Sequence, residues 1–413
     1  MNIILSVNEY TLPRLVTKSL GERLAVMPAV VVTGARQTGK STLAQEFAPG
    51  NRRFYTLDDL DVRDTARRDP EALVGGSQPV TLDEIQREPN LLHAVKRAID
   101  KQRRPGQFLL TGSANLLLMG KVSESLAGRA SYLTLWPMTR REQQGLGRGG
   151  LWEELVNSRD MQWRDLLATQ PNRPDDWRNA ALRGGFPTPS IELRDERERA
   201  IWFDGYVRTY LERDLQDISA IEALPDFRRL MRAACHRLGG LVNQTELGRD
   251  VAMPQPTVHR YLNLLETSYL MIRLPAYSAN HTKRLVKSPK LYWGDTGVAL
   301  HLAEKHEPGG EHLENLIFCD LLAWRDARLE RAEIFYWRTQ IGEEVDFVIE
   351  TDGQLIPIEV KSTDRPRLGD IKHIRTFQAE YGGKARAGLL IHTGDALEWL
   401  TENILAVPWW RII

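Results

Sequence analysis

The spacing of apolar and polar residues changes several times along the chain, and each change predicts a different kind of element. Before residue 136, short apolar runs alternate with segments of helical periodicity, and RRFYTLDD at 52–59 is predicted to be one of the strands. Alternation of this kind is typical of a parallel β-sheet covered by helices. We therefore expect a ligand at the carboxyl ends of the strands, where such sheets bind nucleotides.

The middle of the chain has a different pattern. Residues 137–180 are rich in Arg, Trp and Gly, and loop-like stretches interrupt the helical periodicity, which predicts a mainly helical lid. In the helical run that follows, Trp202, Tyr206 and Tyr210 recur at helical spacing. This spacing indicates core packing more often than a platform for stacking nucleic-acid bases.

A helix-turn-helix pattern begins at residue 241. The segment QTELGRDV predicts a short helix, Met253-Pro254 a turn, and Pro256-Thr257 the start of a second helix. SYLMIRLPAY and PKLYWGDT then predict the two strands of a wing. Residues 236–300 are thus expected to form a winged helix-turn-helix. Such a unit can contact DNA, but it can also serve as a protein-binding surface or as a rigid spacer.

The segment VDFVIETDGQLIPIEVKST, residues 345–363, predicts two strands joined by a tight turn at Asp352-Gly353. The register of a two-residue type I′ turn sets Asp346 directly opposite Glu359. One face of the hairpin is then wholly apolar and comprises Val345, Phe347, Ile349, Ile356, Ile358 and Val360. The opposite face carries the two opposed carboxylates.

Opposed carboxylates destabilise a sheet unless a cation lies between them. Asp346 and Glu359 are therefore predicted to bind Mg²⁺ or Mn²⁺, and Lys361, on the same face, is predicted to orient or activate a water. Glu314, on the apolar stripe of the helical segment EHLENLIFCDLLAW, is a further candidate ligand. Two alternatives stay open: Lys361 neutralises Glu359 on a solvated face, and Glu314 marks a first helical turn, where acids are favoured.

The segment GARQTGKST follows a buried-type strand and opens a helical pattern, which is the context that a P-loop requires. Its glycines let successive N–H groups point at phosphates, the lysine reaches the β and γ phosphates, and the serine binds Mg²⁺. The predicted ATP-binding residues are Gly34, Ala35, Arg36, Gln37, Thr38, Gly39, Lys40, Ser41 and Thr42.

Downstream strands end in polar residues that complete this site. Asp83 is predicted to bind the Mg²⁺ shell and Glu84 to polarise the attacking water. Thr111 and Ser113 end the next strand, where they could contact the γ-phosphate, although simple helix capping by Ser113 is an equal alternative. Arg129 is predicted either to act as an arginine finger on a neighbouring subunit or to form a surface salt bridge.

Composition limits the classes of partner. The chain has 413 residues with 55 Lys plus Arg and 55 Asp plus Glu, so any basic surface must be local. Residues 273–290 carry five basic and no acidic residues, and such a patch is expected to contact phosphate backbones. The predicted DNA contacts are Thr257, His259, Arg260, Lys283, Arg284 and Lys287.

The sequence contains two distant cysteines and no run of about 18 apolar residues, and its N-terminal apolar run is too short for a secretory signal. These features predict a cytoplasmic protein without a membrane partner.

The assembly resembles prokaryotic AAA-type P-loop ATPases that carry a C-terminal restriction-endonuclease-like, PD-(D/E)XK, domain of unknown function. The resemblance covers nearly the whole chain through GARQTGKSTL, LDEIQ, LLTGSAN, SLAGR, GGFP, YLERDL, SPKLYWGDTG, GEEVDFVI and PIEVKS. It implies roles in nucleotide binding for Lys40 and Ser41 and in hydrolysis for Asp83 and Glu84. It also implies a nuclease-type centre formed by Glu314, Asp346, Glu359 and Lys361.

The expected fold class is therefore multidomain α/β. We predict an ATPase domain at 1–136, a helical lid or linker at 137–235, the winged helix-turn-helix at 236–300 and a nuclease-like domain at 301–413. The expected function is a homo-oligomeric, DNA-dependent ATPase coupled to a metal-dependent nuclease that processes branched or duplex DNA in repair, recombination or defence. The alternatives are an ATP-driven switch whose nuclease-like domain binds without cutting, and a transcription regulator.

Overall fold

The structure is a computed structural model that describes residues 11–113, 126–147, 150–209, 224–280, 284 and 287–413. Its N-terminal part is built on a parallel five-stranded sheet in the order β2-β3-β4-β1-β5. The strands are β1 (Ala29–Thr33), β2 (Arg53–Thr56), β3 (Val80–Asp83), β4 (Phe108–Thr111) and β5 (Ala130–Thr134). The predicted parallel sheet is confirmed.

Helices cover both faces of this sheet, because β1, β3 and β4 are buried along their whole length. Separate clusters of apolar side chains lie on the two faces. The helices are α1 (Thr17–Val26), α2 (Lys40–Thr42, continued by a π-helical turn at Leu43–Phe47), α3 (Leu60–Arg68), α4 (Pro70–Val74) and α5 (Leu91–Lys101).

The segment predicted as a lid is helical in its described part, with loops between short helices. Thr139 and Glu142 form a capping box at the start of its first helix, so the chain turns sharply after the sheet. The helices are α6 (Arg140–Gln143), α7 (Leu151–Asn157), α8 (Trp163–Ala168), α9 (Trp177–Arg183) and α10 (Glu196–Tyr206). Tyr210 lies outside the described residues.

Three helices and an antiparallel strand pair follow. The Asn243 side chain accepts hydrogen bonds from the first turn of the second helix, and Pro256 lies in the first turn of the third. The elements are α11 (Leu224–Cys235), α12 (Gln244–Asp250), α13 (Gln255–Thr267), β6 (Met271–Leu274) and β7 (Lys290–Trp293). The helices and strands thus occur where the sequence predicts them.

The C-terminal part is a mixed six-stranded sheet in the order β12-β13-β11-β10-β9-β8. Its strands are β8 (Glu333–Arg338), β9 (Glu344–Thr351), β10 (Gln354–Lys361), β11 (Gly388–His392), β12 (Glu398–Thr401) and β13 (Ile404–Pro408). The accompanying helices are α14 (Thr296–Leu302), α15 (Gly310–Ala327), α16 (Lys372–Tyr381) and α17 (Trp409–Ile412).

The turn between β9 and β10 has the predicted geometry, since Asp352 and Gly353 both have positive φ, 50° and 76°. The pairs from Thr351–Gln354 to Phe347–Ile358 confirm the predicted register up to the residue before Asp346, whose Oδ2 accepts a hydrogen bond from the Val360 N–H at 2.9 Å. One member of the predicted apolar face is wrong: Val345 belongs to a separate apolar cluster with Val348, Leu355 and Phe377. The reason is a register shift between β8 and β9 next to Val345.

The largest apolar cluster among the described residues spans most of the chain after the first sheet, with two smaller clusters beside it in the C-terminal part. It continues from Trp136 through the lid, the helix-turn-helix segment and the C-terminal sheet to Ile413. Arg140 ties the ends of this region together by donating to the carbonyl oxygens of Trp410 and Ile413 at 3.2 and 3.1 Å. This cluster has members on both sides of residues 235 and 300, and the domain boundaries predicted there stay predictions. Within the described ranges, no helix has the length and apolarity to cross a membrane.

Candidate functional site

The P-loop lies between β1 and α2 at the carboxyl edge of the parallel sheet. Gly34 has a φ of 141°, and a Cβ there would lie 2.3 Å from the carbonyl oxygen of Leu135, so only glycine fits. Lys40 begins α2, and its Nζ donates to the carbonyl oxygens of Ala35 at 2.7 Å and Gly34 at 3.3 Å. The ammonium group is thus held over the loop where phosphates would lie.

The carboxylate of Asp83 organises the other side of this loop. Its Oδ1 accepts a hydrogen bond from the Ser41 hydroxyl at 2.8 Å, and its Oδ2 accepts one from Thr56 at 3.2 Å. The Thr111 hydroxyl, predicted to contact phosphate, also donates to Asp83 and accepts from the Glu84 N–H at 3.2 Å. Thr111 therefore positions the two acids. Ser113 is buried at the end of the same strand.

Glu84 follows Asp83 in the left-handed region, with a φ of 55°, which turns its side chain away from the strand direction. Burial raises the pKa of Glu84, although the nearby Lys40 ammonium opposes this rise. Burial also lowers the pKa of Lys40 to about 8, against the attraction of Glu84 and Asp83. A base whose pKa moves towards neutrality beside a buried cation suits the activation of water.

Arg14 is buried beside the P-loop, and no motif in the sequence indicates its role. Its guanidinium donates to the carbonyl oxygens of Thr38 at 2.8 Å and Trp136 at 2.7 Å and forms a salt bridge with Glu142 at 3.2 Å. Next to it, a cavity of about 350 Å³ opens beside Gly39 and is lined largely by apolar side chains. Its position suits the base of a nucleotide whose phosphates occupy the loop.

The four residues predicted for the second centre come together in the C-terminal sheet. Asp346 and Glu359 are buried on β9 and β10, and Lys361 Nζ contacts Glu359 Oε1 at 2.6 Å. Glu314 reaches the same place from α15, since Asp346 interacts electrostatically with both Glu314 and Glu359. The alternative of a solvated hairpin face is wrong for Glu359, which is 2% exposed, although its predicted pairing with Lys361 is present.

Lys290, the first residue of β7, also belongs to this centre. Its Nζ lies 3.0 Å from Glu314 Oε1, 2.5 Å from Glu344 Oε1 and 3.6 Å from Asp346 Oδ1. The Tyr292 hydroxyl donates to Glu314 as well. The sequence placed Lys290 in an exposed basic patch, and this interpretation is wrong because the residue is 2% exposed among carboxylates.

Two acids in this centre have pKa values that are shifted upward by burial and by neighbouring acids. Burial, reinforced by Asp346, raises the pKa of Glu314 to about 7 and that of Glu359 to about 8. Burial lowers the pKa of Lys290, but Glu314, Asp346 and Glu344 outweigh burial and hold the pKa above its usual range. Lys290 is therefore charged at neutral pH, whereas the carboxyl groups compete for too few cations.

A divalent cation prefers the hard oxygen donors that this centre offers, and Glu359 Oε2 is buried without a hydrogen-bond partner. One oxygen of each of Glu314, Asp346 and Glu359, however, is already in contact with Lys290 or Lys361. Across the parts of the chain that the structure describes, no group of three or more His, Cys, Asp or Glu side chains is arranged to hold a metal ion. The predicted metal ligands Glu314, Asp346 and Glu359 thus do not form an open metal site as they stand.

Comparison with known proteins places these sites in a family. Residues 27–144 match a family model described as an AAA domain, and residues 174–308 and 309–412 match the domains of unknown function DUF8612 and DUF4143. The uncharacterized protein Rv2008c of Mycobacterium tuberculosis is 31% identical over 394 residues, which cover 92% of this chain and 80% of that protein. The chain belongs to the same protein family as Rv2008c. Its N-terminal sheet is an AAA domain, which supports ATP binding and hydrolysis.

Two further similar proteins are also described as uncharacterized. Mb2031c of Mycobacterium bovis matches with the same identity and coverage, and a protein of Haemophilus influenzae is 20% identical over 358 residues, 80% of this chain and 81% of its own length. Among solved structures, a type III CRISPR defence DNA nuclease activated by cyclic oligoadenylate has 12% identity and a TM-score of 0.18, and this chain spans 47% of its length. A TM-score this low does not indicate a shared fold.

In the DUF8612 region, the predicted DNA contacts separate into two groups. Thr257 is half-buried and His259 and Arg260 are exposed on the first turns of α13, where the prediction put them. Lys287 is exposed, and Lys283 lies outside the described residues.

Arg284 differs from these residues. Its guanidinium pairs with Glu350 at 2.6 Å and lies over the rings of Tyr277 and Phe335, with 9% of the residue exposed. Arg273, likewise, pairs with Glu266. The predicted basic patch is therefore wrong for Arg273 and Arg284, because long-range and local acids neutralise them.

Arg129 lies just before β5, at the amino edge of the sheet, whereas the P-loop is at the carboxyl edge. Its guanidinium forms two hydrogen bonds with the carboxylate of Asp100, at 2.6 and 2.9 Å. The salt bridge that was its alternative role is thus present. Action as a finger on a neighbouring subunit stays a prediction, and it requires this pair to open.

Proposed function

We propose that this member of the Rv2008c family is a Mg²⁺-dependent ATP hydrolase that uses its nucleotide cycle to change how its C-terminal half engages DNA. The observation that carries the proposal is the convergence of Lys40, Ser41, Asp83 and Glu84 at the carboxyl edge of one parallel sheet. This arrangement supplies a phosphate-binding cation, two oxygen ligands for Mg²⁺ and a base.

Each residue then has a defined task. Ser41 and Asp83, whose oxygens are 2.8 Å apart, would hold Mg²⁺, which neutralises charge on the β and γ phosphates when it is bound. Lys40 exchanges its hydrogen bonds to loop carbonyls for bonds to phosphate oxygens. Glu84 accepts the proton of the attacking water, and Thr111 keeps Glu84 and Asp83 in register.

Hydrolysis is tested with two variants of different expected behaviour. Lys40→Ala should weaken ATP binding by more than about tenfold, because a charge-assisted hydrogen bond contributes about 1.5–3 kcal/mol. Glu84→Gln should retain ATP binding while kcat falls by about 10²- to 10⁴-fold. Steady-state phosphate release and fluorescent-nucleotide binding measure the two quantities. The exposed Lys101→Ala serves as the control, and full activity of Glu84→Gln would contradict the assignment.

Two contacts support a coupling between the nucleotide site and the C-terminal half. The Tyr269 hydroxyl shares a 2.8 Å hydrogen bond with Thr33, the residue directly before Gly34 of the P-loop. Trp136 Nε1 donates to Asp326 at 2.7 Å, near the end of the helix that carries Glu314. A shift of the P-loop strand on nucleotide binding would thus be felt by both the α13–β6 junction and α15.

The support for DNA as the partner is the exposed, polar start of α13. His259 and Arg260 are exposed there, and Lys287 lies exposed before β7. Arg260→Ala should lower affinity for a labelled duplex and reduce the slope of log K against log salt by about one. Arg197→Ala, at an exposed position of α10, should leave both unchanged in the same anisotropy titration. Failure of the wild-type protein to bind any duplex at low salt would exclude this partner.

A second candidate activity, phosphodiester cleavage, is favoured by the convergence of Glu314, Asp346, Glu359 and Lys361, which matches the order of a PD-(D/E)XK centre. Labelled linear, single-stranded and branched DNA is incubated with Mg²⁺ or Mn²⁺, with and without ATP. Cutting that is lost in Asp346→Asn but retained in Arg197→Ala would support a nuclease. No cutting of any substrate while ATP is still hydrolysed would leave the ATP-driven switch as the function.

A further inference from the structure

The ammonium group of Lys290 occupies the middle of the carboxylate centre although it comes from a different element. It contacts Glu314 of α15 and Glu344 and Asp346 of β9. Only 2% of Lys290 is exposed. A lysine so deeply buried is retained only where its charge is compensated.

Lys290 is firmly positioned by its backbone. It begins β7, pairs with Leu274 of β6, and forms an isolated bridge with Leu241. Its ammonium group lies over the ring of Tyr336, with Nζ 5.9 Å from the ring centre. The ammonium therefore cannot leave the carboxylates unless β7 or the Lys290 side chain moves out of a packed environment.

The charges explain why the position needs a cation. Among the described residues, the four carboxylates of Glu314, Glu344, Asp346 and Glu359 are paired with three cations: the ammonium groups of Lys290 and Lys361, and the guanidinium of Arg338, which contacts Glu344 at 3.2 Å. A divalent cation shared by Glu314 and Asp346 would lie beside the ammonium of Lys290, which already contacts one oxygen of each, because Mg²⁺ needs carboxylate oxygens at about 2.1 Å. Two cations so close together would repel each other strongly.

We propose that Lys290 is the built-in cation of the carboxylate centre, and that a divalent cation binds there only when Lys290 is withdrawn. This inference rests on the proposed function only in treating the centre as a place where a cation acts. Lys290 lies on the strand pair that begins next to Tyr269. The element that would withdraw it therefore adjoins the contact between Tyr269 and the strand before the P-loop.

The first test measures Mn²⁺ binding to the nucleotide-free protein by electron paramagnetic resonance. Lys290→Met keeps the aliphatic stem and removes the charge, so it should gain one Mn²⁺ site at least about tenfold tighter than any site in the wild type. Lys384→Ala, at an exposed position of the same C-terminal part, should bind Mn²⁺ as the wild type does. Lys290→Met combined with Asp346→Asn should lose the new site.

Wild-type affinity for Mn²⁺ equal to that of Lys290→Met would overturn the proposal, and so would a cooperatively folded Lys290→Met that gains no site. If Lys290→Met lacks a cooperative thermal transition, amine acetylation of the wild type decides the question. Lys290 should be protected relative to Lys287 without metal and become reactive as Mn²⁺ saturates the centre. Bound Mn²⁺ with unchanged protection of Lys290 would contradict the proposal.

The outcomes separate this inference from the proposed activities. A new Mn²⁺ site in Lys290→Met without any DNA cleavage would uphold the role of Lys290 and remove the nuclease candidate. Cleavage by the wild type with Lys290 still protected would support the nuclease and remove the role of Lys290. Loss of ATP hydrolysis in Lys40→Ala bears on neither result, since Lys40 lies in the other site.

Discussion

Asp320 shows what burial does to a single acid in this protein. It lies on α15, where 6% of the residue is exposed, and the Trp152 indole N–H donates to its Oδ1 at 2.6 Å. Burial raises the pKa of Asp320 to about 7. The unfolded chain ionises near the ordinary value of about 3.9, so between about pH 4 and 7 the native state holds a proton that the unfolded state has lost.

The free energy of unfolding should therefore lose the contribution of Asp320 as pH rises through that window. Asp320→Asn keeps an acceptor for Trp152 and carries no charge, so it should match wild type near pH 4 and be more stable by on the order of 1–3 kcal/mol at pH 8. Urea unfolding at both pH values measures the difference. Glu330→Gln, at an exposed position, should stay within about 0.5 kcal/mol throughout. An equal difference at both pH values would contradict the assignment.

At the residue scale, the sequence was informative where the chemistry is local. Lys40 and Ser41 lie in one loop with a fixed geometry, so their roles follow from spacing alone. Lys290 could not be assigned in this way, because its partner Glu314 is 24 residues away and its charge looked like part of a patch. Arg284 was missed for the same reason, since Glu350 is 66 residues away.

At the element scale, one contact fixes how α9 meets α14. Gly184 ends α9 with a φ of 66°, and a Cβ there would lie 2.5 Å from Asp295 Oδ1. The next residue, Gly185, donates its N–H to Asp295 Oδ2 at 2.6 Å, while Asp295 also caps α14 through Val298. The GGFP and GDTG segments therefore form one joint.

Gly184→Ala should destabilise the protein by about 2–4 kcal/mol, because it combines a strained backbone with a steric clash against a buried carboxylate. Gly205→Ala provides the matched comparison in exposed α10, where a Cβ meets nothing within 4 Å. That change should stabilise by roughly 0.5–1 kcal/mol through helix propensity. Thermal and urea denaturation measure the stability change of both variants. Equal effects of the two variants would contradict the role assigned to the contact between Gly184 and Asp295.

Element prediction succeeded where one segment contains its own pairing information. The Asp352-Gly353 turn determines which residues of β9 and β10 meet, and the register followed. The error at Val345 arose because its face depends on β8, whose pairing with β9 shifts at that point. No feature within the hairpin sequence signals a shift imposed by a neighbouring strand.

At the scale of the whole molecule, Tyr269 joins two parts that are distant in sequence. Its hydroxyl bonds Thr33 across a separation of 236 residues, and its ring packs edge-on against Trp136. The residue has a φ of 61°, which only a well-packed environment sustains for a tyrosine. A movement of the P-loop strand would therefore be transmitted to the α13–β6 junction through this side chain.

Tyr269→Phe removes the hydroxyl and keeps the ring. Addition of a slowly hydrolysed ATP analogue should change hydrogen exchange across 255–293 in the wild type, and this change should shrink in Tyr269→Phe while exchange across the P-loop still responds. Tyr132→Phe, on the adjacent strand β5, is the control and should respond as wild type. An undiminished response of 255–293 in Tyr269→Phe would show that this contact carries no coupling.

The apolar core that continues from Trp136 to Ile413 has a consequence for how such proteins diverge. A domain with its own core can move between genes, since a break in its linker exposes little apolar surface. A break near residue 300 in this chain would open one core from both sides. We expect recombination to be tolerated poorly there, and the lid, helices and C-terminal sheet to be inherited together.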